Sequence, residues 1–208
     1  MSHRHPVFAR FYARSSLLME RGIGAYRRAL LDGLSGRAIE IGAGNGLNFQ
    51  YYPEAVTEVI AVEPEPHLRA IARMNAERAG VPVKIIDGVA DRLPANDASC
   101  DAAVTSLVLC TVPSPAAALA EIRRVLKPGG QLRFFEHVRA SEPGRRRIQK
   151  TLDATIWPLL VGGCHFRDIR TAIQEAGFVI GSVDQLTVAD TQMPFPTEPQ
   201  IIGTATRP

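Results

Sequence analysis

The sequence predicts an α/β fold: a doubly wound, Rossmann-like sheet, mostly parallel, with helices on both faces and an antiparallel hairpin at its C-terminal edge. Three observations predict it. From residue 37 to residue 136, short apolar runs alternate with segments of helical spacing, the pattern of strands joined by crossover helices. The run Arg37-Ala38-Ile39 leads into Glu40-Ile41-Gly42-Ala43-Gly44-Asn45-Gly46, a buried strand ending in a glycine turn that a ligand can approach closely. The last third changes character, with two late strands separated by Pro194, Pro196 and Pro199.

Residues 7–31 carry Phe8, Phe11, Tyr12, Leu17 and Leu18 at helical spacing, interrupted by Gly22 and Gly24, and read as one or two helices. This N-terminal segment, 1–36, precedes a core at 37–208, and the 208 residues read as a single domain with enough core to fold unaided. Strand 37–41 leads to a helix near 46–52, starting at about Leu47, whose unpaired N–H groups would face the turn. Strand 58–63 leads to a helix at 66–79, then strand 82–87, strand 101–105, a helix at 115–125 and strand 131–136. Between the last two, Lys127-Pro128-Gly129-Gly130 reads as a helix stop. Residues 145–163 read as helical with a Gly162-Gly163 end, 165–176 as a helix closed by Gly177, and 178–188 and 200–206 as the final strands.

The hydrophobic fraction of 46% and charged fraction of 22% are those of an ordinary globular protein. A net charge of +3 is too small to imply nucleic-acid binding. The arginines are clustered nonetheless: Arg4, Arg10, Arg14, Arg21, Arg27 and Arg28, then Arg145-Arg146-Arg147 with Lys150. Solvated helix faces account for such clusters, and so does attraction to an anionic membrane surface or an acidic substrate. Cys100, Cys110 and Cys164 show no C-x-x-C spacing, which argues against a disulfide framework or a structural zinc site and suits a cytoplasmic location. The N-terminus has no uninterrupted apolar region of a signal peptide. The apolar stretch from Ala102 to Leu126 is broken by Pro113 and Pro115 and carries three charges, so it is no transmembrane helix.

A second strand, Val59-Ile60-Ala61-Val62, ends in Glu63, 21 residues after Gly42. An acid there, at the tip of the strand beside the glycine turn, is placed to accept hydrogen bonds from both hydroxyls of a ribose. A nicotinamide dehydrogenase would carry a third glycine at G-x-G-x-x-G, where this chain has Leu47. Together with Ala90-Asp91-Arg92-Leu93-Pro94 and Arg124-Val125-Leu126-Lys127-Pro128-Gly129-Gly130, these features resemble the class I S-adenosylmethionine-dependent methyltransferases over roughly residues 37–180.

The resemblance implies S-adenosylmethionine as cofactor and S-adenosylhomocysteine as product. It carries cofactor roles to the Glu40-x-Gly42-x-Gly44-x-Gly46 turn, with Gly42, Ala43 and Gly44 beneath the methionine part. Glu63 would hold the ribose and Pro64 border the adenine. Ala90, through its N–H, and Asp91 would meet the adenine edge. The family often has an acid before the Ala90 position; Val89 stands there instead, so adenine recognition falls to backbone groups. Thr105 would lie near the sulfonium. Asn48 is either a helix-start side chain or a cofactor contact, and Tyr12 either closes over the cofactor or packs in the core.

The fourth strand continues as Ser106-Leu107-Val108-Leu109-Cys110-Thr111-Val112, without the Asn-Pro-Pro-Tyr of amide-nitrogen methyltransferases. That favours a small or hydrophobic acceptor, and no paired metal-binding carboxylates are evident. This stretch, Glu136-His137-Val138, and Leu152-Asp153 through Trp157 to Gly163-Cys164 resemble the alkyl-thiol S-methyltransferases of animals and their bacterial relatives. The animal enzymes carry an N-terminal membrane helix that these residues do not match; peripheral membrane contact is possible but not expected. The resemblance implies methyl transfer to a small apolar thiol. Alternatives are N-methylation of phosphatidylethanolamine, another small-molecule N- or O-methylation, and a cofactor-binding domain without catalysis.

His137 is the candidate base, since imidazole accepts a proton near neutrality, and Glu136 would orient it. The competing reading packs His137 against later helices, paired with Glu136 or Asp153. Cys164 reads as a small buried apolar residue rather than a nucleophile, and Trp157 as a pocket wall or core residue. The sequence specifies no oligomeric state.

Overall fold

The structure, a computed structural model, describes residues 6–155, 165–191 and 199–208. Trp157, Gly162, Gly163, Cys164, Pro194 and Pro196 lie outside them. The first element is one continuous helix, α1 (Pro6–Leu31), which runs through Gly22 and Gly24. Its buried stripe, Ser16, Ile23, Arg27 and Leu30-Leu31, recurs at helical spacing and clamps it to the sheet.

Seven strands follow in one sheet: β1 (Gly36–Ile41), β2 (Val56–Val62), β3 (Val83–Ile86), β4 (Cys100–Ser106), β5 (Leu126–His137), β6 (Val179–Leu186) and β7 (Gln200–Thr206). Their spatial order is β3-β2-β1-β4-β5-β7-β6. Pairing is parallel through β5, whereas β7 runs antiparallel to both β5 and β6, so the predicted mixed sheet with its edge hairpin is present. The order reverses between β1 and β4, so the glycine turn leaves the sheet at that switch point and Glu63 leaves it from the neighbouring β2.

Alternation along the strands divides the core. Ile39, Ile41, Ile60 and Val62 face one side, under α3 (Pro115–Val125) and α5 (Ile169–Glu175). Ala38, Val59, Ala61, Val104 and Phe135 face the other, under α1 and α2 (Pro66–Ala76). Each fully buried leucine, isoleucine or phenylalanine in these layers contributes roughly 1.5–3 kcal/mol. Pro66 and Pro115 sit at the first turn of their helices, and the caps Glu65 and Ser114 accept N–H bonds from His67 and Ala117. Two further helices, α4 (Pro143–Thr155) and the single turn α6 (Val188–Thr191), lie among the described elements.

Three expectations change. The helix near 46–52 shrinks to a single 3₁₀ turn, Phe49–Tyr51. Gly46 sits at φ +79°, Phe49 N–H bonds back to Gly46, and the chain is extended again at Tyr52 ahead of Pro53. The N-terminus of a full α-helix therefore does not face the glycine turn. Strand β5 begins at Leu126, because Gly129 N–H and Gly130 C=O pair with Arg207 instead of forming only a helix stop. The helix expected at 145–163 is described as Pro143–Thr155, and its remaining residues fall outside the described set.

Candidate functional site

The glycine turn joins the C-terminal end of β1 to the 3₁₀ turn, with Gly42, Gly44 and Gly46 all at positive φ (63°, 58° and 79°). Only glycine adopts that conformation without strain. A Cβ on Gly42 would stand 2.6 Å from Val108 Cγ2, and one on Gly44 would stand 3.3 Å from Tyr12 Cε1. A side chain on Gly46 would collide with the Phe49 ring, so that glycine serves packing rather than the ligand face. Ala43 N–H is tied to Val62 C=O at 3.0 Å, which locks the turn to β2.

Glu63, buried at 5% exposure, links the turn to the strand tip. Its Oε2 accepts the Gly44 N–H and its Oε1 the Glu65 N–H, both at 2.8 Å. Burial pushes the carboxyl above the usual range, while those two amides pull it back. Pro64 follows directly. Arg69 fixes this corner: its Nη1 donates to the carbonyls of Glu63 (2.8 Å) and Pro64 (2.7 Å), and its fork takes both oxygens of Asp87. Arg69 lies in the first turn of α2, three residues after Pro66, and belongs to no motif that marks it in the sequence. Val89, Ala90 and Asp91 form a tight turn beyond β3, closed by Arg92 N–H to Val89 C=O at 3.2 Å.

Two expected cofactor contacts are occupied inside the protein. Glu40 accepts from Asn48 Nδ2 (2.8 Å) and from the Tyr52 hydroxyl (2.9 Å). Burial pushes its carboxyl up to about 7. Asn48 Oδ1 in turn accepts from Arg27 Nη1 at 2.7 Å. Both residues therefore brace the turn from below. Arg27, 5% exposed, also pairs with Glu20 (3.0 Å), reaches Ser106 Oγ (3.3 Å) and bonds the Tyr12 hydroxyl. It holds α1, the glycine turn and the tip of β4 together. Its place on the buried stripe of α1 is a sequence signal that a periodicity count finds.

Thr105, expected beside the sulfonium, is fully buried, and its hydroxyl has no hydrogen-bond partner among the described residues. Strand alternation puts Ser106, not Thr105, on the α1 side. Beyond it Leu107 takes φ +61° and starts a tight loop. That loop is anchored by Glu136, whose Oε1 accepts the N–H groups of Val108 (3.1 Å) and Leu109 (3.0 Å) and whose Oε2 accepts that of Cys110 (3.2 Å). Glu136 thus positions the loop, not the imidazole, and burial raises its carboxyl against three opposing amides. His137, 7% exposed, places Nδ1 3.6 Å from Cys110 Sγ. Asp153 meets His165 Nδ1 at 3.8 Å and Phe166 N–H at 3.3 Å. Tyr12 lies over Gly44, and burial raises the pKa of its hydroxyl while the Arg27 guanidinium opposes the shift.

A glycine cradle with no room for Cβ atoms, a buried acid at the neighbouring strand tip and an apolar loop beyond β4 fit an adenosyl cofactor. The chain belongs to the S-adenosylmethionine-dependent methyltransferases: residues 39–134 match the methyltransferase domain family. It is 34% identical to the thiol S-methyltransferase TMT1B of Mus musculus over 186 residues, spanning 85% of this chain and 74% of that protein. It is 29% identical to the human thiol S-methyltransferase TMT1A, over 96% of this chain and 86% of that one. The fold is shared with a solved S-adenosylmethionine-dependent methyltransferase of Thermotoga maritima described as a possible histamine N-methyltransferase. The TM-score is 0.71 at 24% identity, over 97% of this chain and 98% of that one.

Proposed function

We propose that this methyltransferase acts on the sulfur of a small apolar thiol, with His137 accepting the thiol proton. The observation that carries the reading is the 34% identity to a protein named a thiol S-methyltransferase across 85% of this chain. The apolar run Leu107-Val108-Leu109 beside a buried imidazole supports it.

Bound S-adenosylmethionine supplies an electrophilic methyl carbon on a sulfonium. Gly42, Ala43 and Gly44 are the residues that would hold its amino-acid part, Glu63 and Pro64 its ribose and the adenine border, and Val89, Ala90 and Asp91 the adenine edge. Tyr12, packed on Gly44, excludes water from the turn, so that alignment in a dry pocket provides most of the acceleration. Glu136 holds the loop that frames the acceptor's approach. His137 takes the proton of the bound thiol, leaving sulfur with the lone pair that forms the new bond to carbon; a positioned base of this kind contributes roughly 10²–10⁴-fold. The test is to supply S-adenosylmethionine and a short alkyl thiol and to seek the methyl thioether by mass spectrometry. Thioether formation at a rate proportional to enzyme supports the reading. Cofactor binding without any product would leave a binding domain.

A further inference from the structure

We propose that the outer face of α1 docks this protein on an anionic phospholipid bilayer. The inner face of the helix, with Ser16, Ile23 and Arg27, is buried on the sheet and the site. The outer face carries Arg10, Arg14, Leu17, Leu18, Arg21 and Arg28, all exposed. At 3.6 residues per turn these six fall on one arc of the helix, the leucines at its two edges and, along the axis, between Arg14 and Arg21. Leu17 is 59% and Leu18 74% exposed, the latter being the most exposed of the large hydrophobic side chains described. The helix contains a single acid, Glu20, which is engaged by Arg27 (3.0 Å) and by the Tyr51 hydroxyl (2.8 Å). No acid of α1 itself therefore stands among the arginines of this arc. Arg28 lies 5.4 Å from the centre of the Tyr51 ring, which leaves Arg10, Arg14 and Arg21 around the leucines.

Charge complementarity and the leucine pair select the occupant. Guanidinium groups reach lipid phosphates while adjacent aliphatic side chains enter the boundary between headgroups and acyl chains. A nucleic acid would match the arginines and leave the leucines in water. No described helix is long and apolar enough to cross a membrane, so α1 would lie on the surface, its opposite face still closing over Gly44 through Tyr12. The docking does not depend on which acceptor atom is methylated.

The experiment is co-sedimentation of the full chain with phosphatidylcholine vesicles, with and without phosphatidylglycerol, at low and high salt. Binding should require the anionic lipid and fall with salt. Arg14→Glu with Arg21→Glu should lower the partition coefficient roughly tenfold or more, and Leu17→Ser with Leu18→Ser should weaken it several-fold at fixed charge. Both variants should keep the thermal shift given by S-adenosylmethionine, which verifies folding and the cofactor site. Absence of vesicle binding would overturn the proposal. So would binding unchanged by the α1 variants but lost on reversal of Arg145 and Arg147, which would place the contact on α4. Charge-dependent binding indifferent to the leucine changes would show polyanion adhesion and refute docking into a bilayer.

Discussion

Glu63 Oε2 accepts the Gly44 N–H at 2.8 Å, so the acid proposed to hold the ribose and the turn proposed to pass under the methionine part form one hydrogen-bonded unit. Replacing Glu63 by Ala removes the acceptor for the Gly44 and Glu65 amides at once. Each stranded buried donor costs about 1–3 kcal/mol. Glu63→Ala should lower the melting temperature and also abolish the stabilisation given by S-adenosylmethionine. Differential scanning fluorimetry with and without the cofactor checks both. A cofactor-dependent shift of wild-type size in the variant would remove Glu63 from the binding site.

Arg27 ties α1 to the residues beneath the glycine turn and to the tip of β4, beside the Asn45 Nδ2 bond to Ser16 Oγ at 2.9 Å. Arg27→Met leaves Glu20 and Asn48 Oδ1 without that partner, and breaking a buried ion pair costs roughly 3–5 kcal/mol. The variant should unfold at lower denaturant and bind cofactor more weakly, because Tyr12 loses its tether. Arg27→Lys, which keeps the charge but not the fork, should fall between. Urea titration and cofactor titration of the three proteins check the order.

His137 and Glu136 are adjacent yet play different parts. His137→Ala should reduce turnover about 10²–10⁴-fold while leaving cofactor affinity and melting temperature close to wild type. Glu136→Ala frees the amides of Val108, Leu109 and Cys110, so it should cost stability and turnover together. Comparable stability losses in both variants would give His137 a structural role.

Glu40 sets a pH dependence. Burial raises its carboxyl from 4.5 to about 7, so the folded chain holds a proton that the unfolded chain has released between those values. Stability contributed by this group is therefore present in full below the lower value, falls as pH rises through the window and levels above the upper one. The fall is on the order of 3 kcal/mol. Glu40→Gln retains an acceptor for Asn48 and should flatten this part of the profile. Melting temperatures of the two proteins from pH 4.5 to 8, compared by difference, isolate the group.

The strand–helix order, the glycine turn, Glu63 and the edge hairpin were legible because each carries a local signal: period, positive φ or a fixed offset. The helix after the turn was not, since Gly46 and Pro53 confine that stretch to one 3₁₀ turn. The role of Glu136 was hidden for a different reason. Only tertiary folding brings the loop after β4 onto the side chain at the end of β5, 26 to 28 positions away. Arg27 was visible as part of a basic cluster, but its isolation on the buried face of α1 separates it from Arg21 and Arg28.

The most direct test of the thiol reading is steady-state release of S-adenosylhomocysteine with three acceptors of the same alkyl chain, ending in a thiol, an amine or a hydroxyl, with phosphatidylethanolamine vesicles as a fourth. The account predicts turnover on the thiol at least tenfold above the other three, with the methyl group recovered on sulfur and the rate lost in His137→Ala. Turnover on the amine or on phosphatidylethanolamine, with none on the thiol, would contradict it.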